Sequence, residues 1–446
     1  MPAPVLEGSD PAWGAAFAWA RRQAEAYRFD DAPAGPCYEA ALPGRRAFCV
    51  RDVCHQSTGA HVLGMRAHTK NMLRRFASSI SEGKDWCPYW EITRDGGPAP
   101  VDYRSDDRFW YNLPGSFDLV DACHRQYLWT GDGDYLEDPV FREFYHRTLG
   151  DFIERWDRDG DGIPDHRPAD GHRGIATYNE QVPHPLAGGD LWGAMYAALR
   201  ADAAMRARRG DAAGSRAALR RAVALRRRYN AEWWDASAGA FRGHRRQDGS
   251  FAPEYGYEGN FLPLYFGLPS GPHRVRAALA AMSAHGAPNV EGLTYIVDVL
   301  LRHGRVSDGW ALLRTIASPG HPRSEYPEVS FCAAGALVEG LAGIRPGGDV
   351  LETLSRLPAA GDWLRVGPVP VFGTRVSVTH AGPTATCLVN EGPEPLVWRA
   401  VFRGERPAWR VNGRTQAPVR VRRDGHRCSA VTSVVRPGEA CMAAPG

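Results

Sequence analysis

Rhythm constrains this chain more than any motif does. From about residue 11 to residue 343, apolar residues recur at helical spacing in twelve separate stretches, each ended by a Gly/Pro-rich loop. The stretches lie near 11–27, 52–64, 68–82, 114–130, 138–156, 190–209, 211–234, 258–267, 272–285, 291–303, 306–317 and 328–343. Helices joined in this way pack as antiparallel pairs. Twelve of them are expected to close into an (α/α)6 toroid, six hairpins whose alternate helices form an inner and an outer ring. The seventh stretch carries Arg220, Arg221, Arg226, Arg227 and Arg228 on one side and Leu219, Val223 and Leu225 on the other, as an outer helix should. The twelfth, VSFCAAGALVEGLAG, is apolar almost all round and reads as inner. Even-numbered helices then line the inside.

After Pro346 the period changes from helical to alternating. Short runs such as Arg375–Thr379, Ala385–Val389, Val397–Phe402 and Ala430–Val435 are separated by turn signals such as Asn412-Gly413 and Asp424-Gly425. The expected organisation is therefore mainly α: a toroid over residues 1–345, then a small C-terminal β-sandwich of seven or eight strands over 346–446. A short helical connector is expected at Leu351–Leu357.

Composition narrows the class of partner. With 43% hydrophobic and 24% charged residues the chain is a folded globular protein, and a net charge of +3 is too small a surplus to point to nucleic acid or an anionic membrane. No window approaches a membrane span, and residues 1–21 lack a signal-peptide core. Nine cysteines lie scattered without a CxxC pair, as reduced thiols do. The expected location is the cytoplasm and the expected partner a neutral substrate; the oligomeric state is not readable.

The loops before the even-numbered helices hold the unusual residues. Arg51, Asp52 and His55 stand at the second helix; Trp86, Trp90, Glu91, Asp102, Asp106, Asp107 and Trp110 precede the fourth. Tyr178, Asn179 and Glu180 precede the sixth, Glu258 opens the eighth, Glu291 the tenth, and Glu325 and Glu328 lie before the twelfth. Aromatic faces cover the apolar side of a pyranose, and carboxylates and guanidinium groups take its hydroxyls. Two carboxyl groups across such a pocket can cleave a glycosidic bond, one as general acid and the other as base or nucleophile.

At these residues the sequence resembles the six-hairpin glycosidase superfamily, which includes glucoamylases, trehalases and α-L-rhamnosidases. The resemblance covers roughly residues 35–345. It implies that Arg51-Asp52 clamps the hydroxyls of the terminal sugar, that Glu180 lies where several members keep their general acid, and that Glu328 or Glu325 lies where inverting members keep the base. His55, Trp90, Glu91, Asp106, Asp107, Trp110, Tyr178, Glu258 and Glu291 complete the expected substrate contacts. The implied activity is exo-acting, inverting glycoside hydrolysis; exo action also suits a pocket narrowed by the loop at 83–112. The substrate does not transfer, because no longer diagnostic motif of one family is present.

Each candidate also has a structural explanation. Arg51-Asp52 suits an ion pair capping a helix, Glu180 a carboxylate holding loop amides, Glu328 a charge on the positive end of its helix, and the tryptophans packing at the mouth. No cofactor is expected. Asp157, Asp159 and Asp161 resemble a calcium loop, but the twelfth position falls on Pro168 and no helix follows, so a tight acidic turn explains them equally. Two other enzymes could use the same scaffold: a lyase through Tyr178, His184 and Tyr255, or a sugar epimerase through His55 and His61. A carbohydrate-binding protein would keep the aromatic pocket and lack the carboxylate pair.

Overall fold

The computed structural model describes residues 3–446. Its helices are α1 (Pro11–Ala26), α2 (Val50–Val62), α3 (Arg66–Ser78), α4 (Pro114–Thr130), α5 (Asp134–Glu137), α6 (Pro139–Leu149) and α7 (Asp151–Trp156). They continue with α8 (Gly189–Arg208), α9 (Ala212–Glu232), α10 (Glu258–Tyr265), α11 (Pro272–His285), α12 (Val290–Arg302), α13 (Val306–Ile316) and α14 (Pro327–Gly335). The inner ring runs α2, α4, α8, α10, α12, α14 and back to α2. Burial follows the ring. In α14 every residue is buried, whereas α9 buries only Ala218, Ala222, Leu225, Tyr229 and Asn230.

Close approach between inner helices depends on glycine. A Cβ at Gly59 of α2 would stand 1.8 Å from the Phe331 carbonyl oxygen of α14, and one at Gly189 of α8 would stand 2.2 Å from the Gly259 carbonyl oxygen of α10. The expected outer helix at 138–156 is divided. Asp138 caps α6 by accepting from the Val140 amide, Pro139 starts that helix, and Gly150 breaks from helical geometry before α7.

The β-region is a two-sheet sandwich. A seven-stranded sheet runs in the order Val5–Gly8, Trp363–Val371, Thr374–Ala381, Ala385–Asn390, Ala440–Pro445, Trp409–Val411, Arg414–Gln416. A five-stranded sheet runs Ile344–Pro346, Val350–Leu354, Leu396–Arg403, His426–Val435, Val419–Arg423. Val366, Val376, Val378 and Leu388 of the first sheet meet Trp398, Ala400 and Phe402 of the second in the core.

Two expectations are corrected here. Residues 5–8, grouped by sequence with the toroid, pair antiparallel with Trp363–Val371 in the sandwich. Only Leu6 of this short run turns inward, too weak a pattern to announce a strand. The connector near 351–357 is not helical: Val350–Leu354 is a strand, parallel to Leu396–Arg403, with Leu351 and Thr353 alternating into the core.

The sandwich sits against the C-terminal ends of the inner helices. His61 of α2 donates to the Pro370 carbonyl (2.9 Å) and the Phe372 amide donates to the Trp129 carbonyl of α4 (2.8 Å). Arg208 of α8 pairs with Asp349, and Arg356 donates to the Glu339 and Gly340 carbonyls in the π-type turn Ala336–Leu341 that ends α14. One end of the toroid is thus covered. No helix among the described residues is long and apolar enough to cross a membrane.

Candidate active site

At the opposite end, where the inner helices begin, a cavity of about 450 Å³ opens. The helix starts supply its charge. Asp52, Glu258, Glu291 and Glu328 all lie in first turns, of α2, α10, α12 and α14 respectively, and line the cavity. The positive ends of helices favour carboxylates there. Asp190, the equivalent residue of α8, is used structurally: it accepts from the Thr177 hydroxyl (3.0 Å) and the Tyr178 amide. That contact fixes the loop bearing Tyr178, Asn179 and Glu180. Asn179 donates to the Gly256 carbonyl (3.1 Å) and accepts from the Gln181 amide (3.0 Å), so Glu180 projects from a tied turn.

Arginines are interleaved with these carboxylates. Arg51 Nε lies 3.3 Å from Asp52 Oδ1 and its Nη1 4.0 Å from Glu180 Oε1, while the guanidinium sits 5.7 Å from the Tyr178 ring centre. Arg45 holds Glu91 at 2.7 Å, and Arg323 approaches Glu291 at 3.6 Å. Trp90 packs edge-on to Tyr111, and Trp110 stacks on His172 while donating to Asn112 (2.7 Å).

Several buried polar atoms here have no protein partner among the described residues: Glu258 Oε2, Glu291 Oε2, Asp102 Oδ2 and both side-chain polar atoms of Gln56. Buried polar groups are normally paired, so a cluster of exceptions on one cavity marks where a hydroxyl-rich ligand would complete them. Burial pushes the Glu258 carboxyl up to about 7. It also raises Asp52 well above the ordinary range, with the Glu328 charge adding and Arg51 opposing. Burial and then Glu328 raise Glu291, and burial and then Glu91 push Asp102 up to about 6.

Known proteins agree with this architecture. A family model described as mannosylglycerate hydrolase MGH1-like glycoside hydrolase domain matches residues 179–293, from the loop before α8 to the first turn of α12. The GH78-family rhamnosidase of Bacillus sp. GL1 superposes with a TM-score of 0.62 at 14% identity, covering 88% of this chain and 42% of its own. The α-L-rhamnosidase of Dictyoglumus thermophilum superposes at 0.63 and 10% identity, covering 99% and 50%. Residues 179–293 thus match a glycoside hydrolase family model, and the chain as a whole shares the fold of these rhamnosidases.

The chain spans only about half the length of those rhamnosidases. A glycosidase in complex with glucose is nearer in size: TM-score 0.52, 16% identity, 74% of this chain and 98% of the other. No curated protein matches the sequence.

Of the residues expected at the glycosidase site, Arg51, Asp52, Trp90, Glu91, Trp110, Tyr178, Glu180, Glu258, Glu291 and Glu328 line the cavity. Four do not. His55 is buried one layer behind it, beside Glu328. Glu325 faces solvent, while its neighbour Tyr326 is buried and lines the cavity; the Glu325 carbonyl accepts from the Tyr27 hydroxyl. Asp106 and Asp107 lie where the hairpin Tyr103–Ser105/Arg108–Phe109 turns, Asp106 accepting from the Tyr103 hydroxyl (2.7 Å). Among the residues of the rival readings, His61 lies at the far end of α2, and His184 bonds to His166 (2.8 Å) away from the cavity.

Sequence reasoning noted Asp102 in the loop at 83–112 without making it a substrate contact, and missed Arg45, Gln56 and Arg323 as lining residues. Gln56 had a signal, a polar residue on a fully buried helix. Arg45 had none. It meets Glu91 only because Ala47–Cys49 pairs with Glu91–Thr93. In the acidic loop, Asp157, Asp159 and Asp161 bring ligand oxygens within 4.8 Å of one another and could hold a metal ion. Asp157 also accepts the Asp161 and Gly162 amides, and Asp161 is bound by Arg228 (2.8 Å), so a cation would compete with an arginine already present.

Proposed function

We propose that the chain is an exo-acting, inverting glycoside hydrolase that removes a terminal sugar from a small glycoside. One observation carries the reading: helix-start carboxylates with unpartnered oxygens converge on a cavity in a toroid whose other end is covered. Glu328 suits the base. It lines the cavity, is 2% exposed, and stands on the rigid first turn of α14. Glu180 suits the acid, on the tied loop at the mouth where the leaving group departs; its side chain is 56% exposed. The acid protonates the glycosidic oxygen as that bond breaks, and the base takes a proton from the water attacking the anomeric carbon on the opposite face.

Glu258 is a second choice for the acid, favoured by burial and a carboxyl at about 7, a value suited to donating a proton near neutrality. A panel of mannosylglycerate, aryl α-L-rhamnosides and aryl α-glucosides tests the reading by release of free sugar. Between Glu180→Gln and Glu258→Gln, the true acid variant keeps turnover on substrates with good leaving groups and loses about two to four orders of magnitude on poor ones. Appearance of an unsaturated, ultraviolet-absorbing product would favour the lyase, and binding without release the non-catalytic module. A cytoplasmic location belongs to the same proposal and rests on nine scattered free thiols, eight of them buried.

A further inference from the structure

Behind the cavity lies a buried polar group that the hydrolytic reading leaves unused. His55 of α2 has a fully buried side chain. Its ring stacks on Tyr295 of α12, with centroids 3.5 Å apart and planes 7° from parallel, and meets Tyr265 of α10 edge-on at 5.7 Å. A carboxylate faces each nitrogen: Glu328 Oε1 is 3.6 Å from Nδ1, and Asp298 Oδ2 of α12 is 3.5 Å from Nε2. Cys332 Sγ of α14 is 3.4 Å from Nδ1. Beyond Asp298 stand Arg302 (3.9 Å) and then Glu339 (3.9 Å from Arg302); on the α4 side stand Asp118 and Arg125, which face each other at 3.6 Å.

The arrangement answers a problem of charge. Asp52 and Glu291 both feel Glu328 as a like charge. In a buried site such crowding of like charges is unfavourable, and a general base must be ionised to accept a proton from water. Arg51 is shared among Asp52, Glu180 and Glu328 and cannot neutralise them all. A cation on the hidden side of Glu328 would offset this crowding without occupying sugar space. Resting on the hydrolytic reading for Glu328, we propose that His55, held as an imidazolium between Asp298 and Glu328, is a positioning residue that keeps the base ionised and aimed into the cavity.

Burial works against a charge on His55, and contacts with Cys332, Asp298 and Glu328 outweigh it, raising its pKa well above the ordinary value. Cys332 is itself pushed up to about 11 by burial and is a neutral thiol near pH 7, so the carboxylates supply the countercharge. The stacked tyrosine fixes the ring plane, which sets the direction in which Nδ1 meets Glu328.

Histidine-labelled NMR of the full chain tests this without any substrate, with the His55 signal assigned by its loss in His55→Gln. His55 is expected to remain protonated at pH 7.5 in the unaltered protein and to titrate at least one pH unit lower in Asp298→Asn and in Glu328→Gln. A neutral His55 at pH 7, or a titration unmoved by Asp298→Asn, overturns the proposal. In kinetics, His55→Gln should lower kcat at least tenfold, change KM less than threefold and move the acidic limb of kcat/KM up by at least one pH unit. Asp298→Asn should move the limb the same way by less, and serves if His55→Gln does not fold. Lower activity with an unmoved limb would mark a merely structural residue and overturn the proposal. Absence of turnover on every glycoside would instead sink the hydrolytic reading, while the NMR result still judges the buried pair.

Discussion

The two ends of the inner ring are built from the same helices and treated in opposite ways. At the far end, helix termini meet the sandwich through specific pairs: Arg208 with Asp349, Arg356 with two carbonyls and Asp424, His380 with the Ala342 carbonyl. At the mouth, four first-turn carboxylates crowd around a cavity, and two of them, Glu258 and Glu291, carry an oxygen with no protein partner among the described residues. Crowded and unpaired carboxylates cost stability, so the difference separates an end that holds the fold together from an end that spends stability on function. It also explains why the catalytic reading rests on the mouth alone.

The largest expected effect is at the mouth. Glu328→Gln should lower turnover by about three orders of magnitude while leaving the melting temperature and sugar affinity nearly unchanged; steady-state kinetics beside thermal denaturation measure both. The converse belongs to the far end. Arg356→Met leaves Asp424 buried with Arg345 alone and strips two carbonyls of a donor. It should destabilise by about 3–5 kcal/mol in urea titration, with kcat per folded molecule unchanged. A kinetic effect there, or a stability loss in Glu328→Gln, would blur the contrast.

Glu258 should show the cost of the mouth directly. Its folded value, about 7, lies above the ordinary carboxyl range. Its favourable contribution is therefore fully present below the unfolded value near 4.5 and is lost as pH rises through 7. Glu258→Gln carries no such loss and should be more stable than the unaltered protein at pH 8, by about 1–3 kcal/mol, with no gain at pH 4. The smallest effect belongs to Glu325, which faces solvent: Glu325→Gln should stay within twofold in kcat/KM and within about 0.5 kcal/mol in stability.

The helical rhythm was legible because inner helices are buried on nearly every side, and in the last of them that burial shows as the apolar run VSFCAAGALVEGLAG, although α2 buries Asp52, His55 and Gln56 as well. The mouth was legible for a related reason: carboxylates opening otherwise apolar helices, as at Glu258, Glu291 and Glu328, have no purpose in a core. What escaped depends on pairing between distant segments. Arg45 and Glu91 are joined by two three-residue strands, and Leu6 enters the sandwich through a partner more than 350 residues away. The choice between Glu325 and Glu328 turned on which residues of the turn before α14 face inward, Glu325 being exposed and Glu328 buried on the cavity, which spacing does not reveal. His55 was read as a substrate contact because it opens an inner helix; its position in the second turn instead buries it behind the first-turn carboxylates.

Proton NMR of the first turnovers on the glycoside panel, run on the unaltered protein and on Glu328→Gln, tests the central assignment most directly. The expected result is a free sugar released by the unaltered protein with inverted anomeric configuration, and no release above background by Glu328→Gln under the same conditions. Release of the retained anomer, or undiminished release by Glu328→Gln, would contradict Glu328 as the base of an inverting hydrolase.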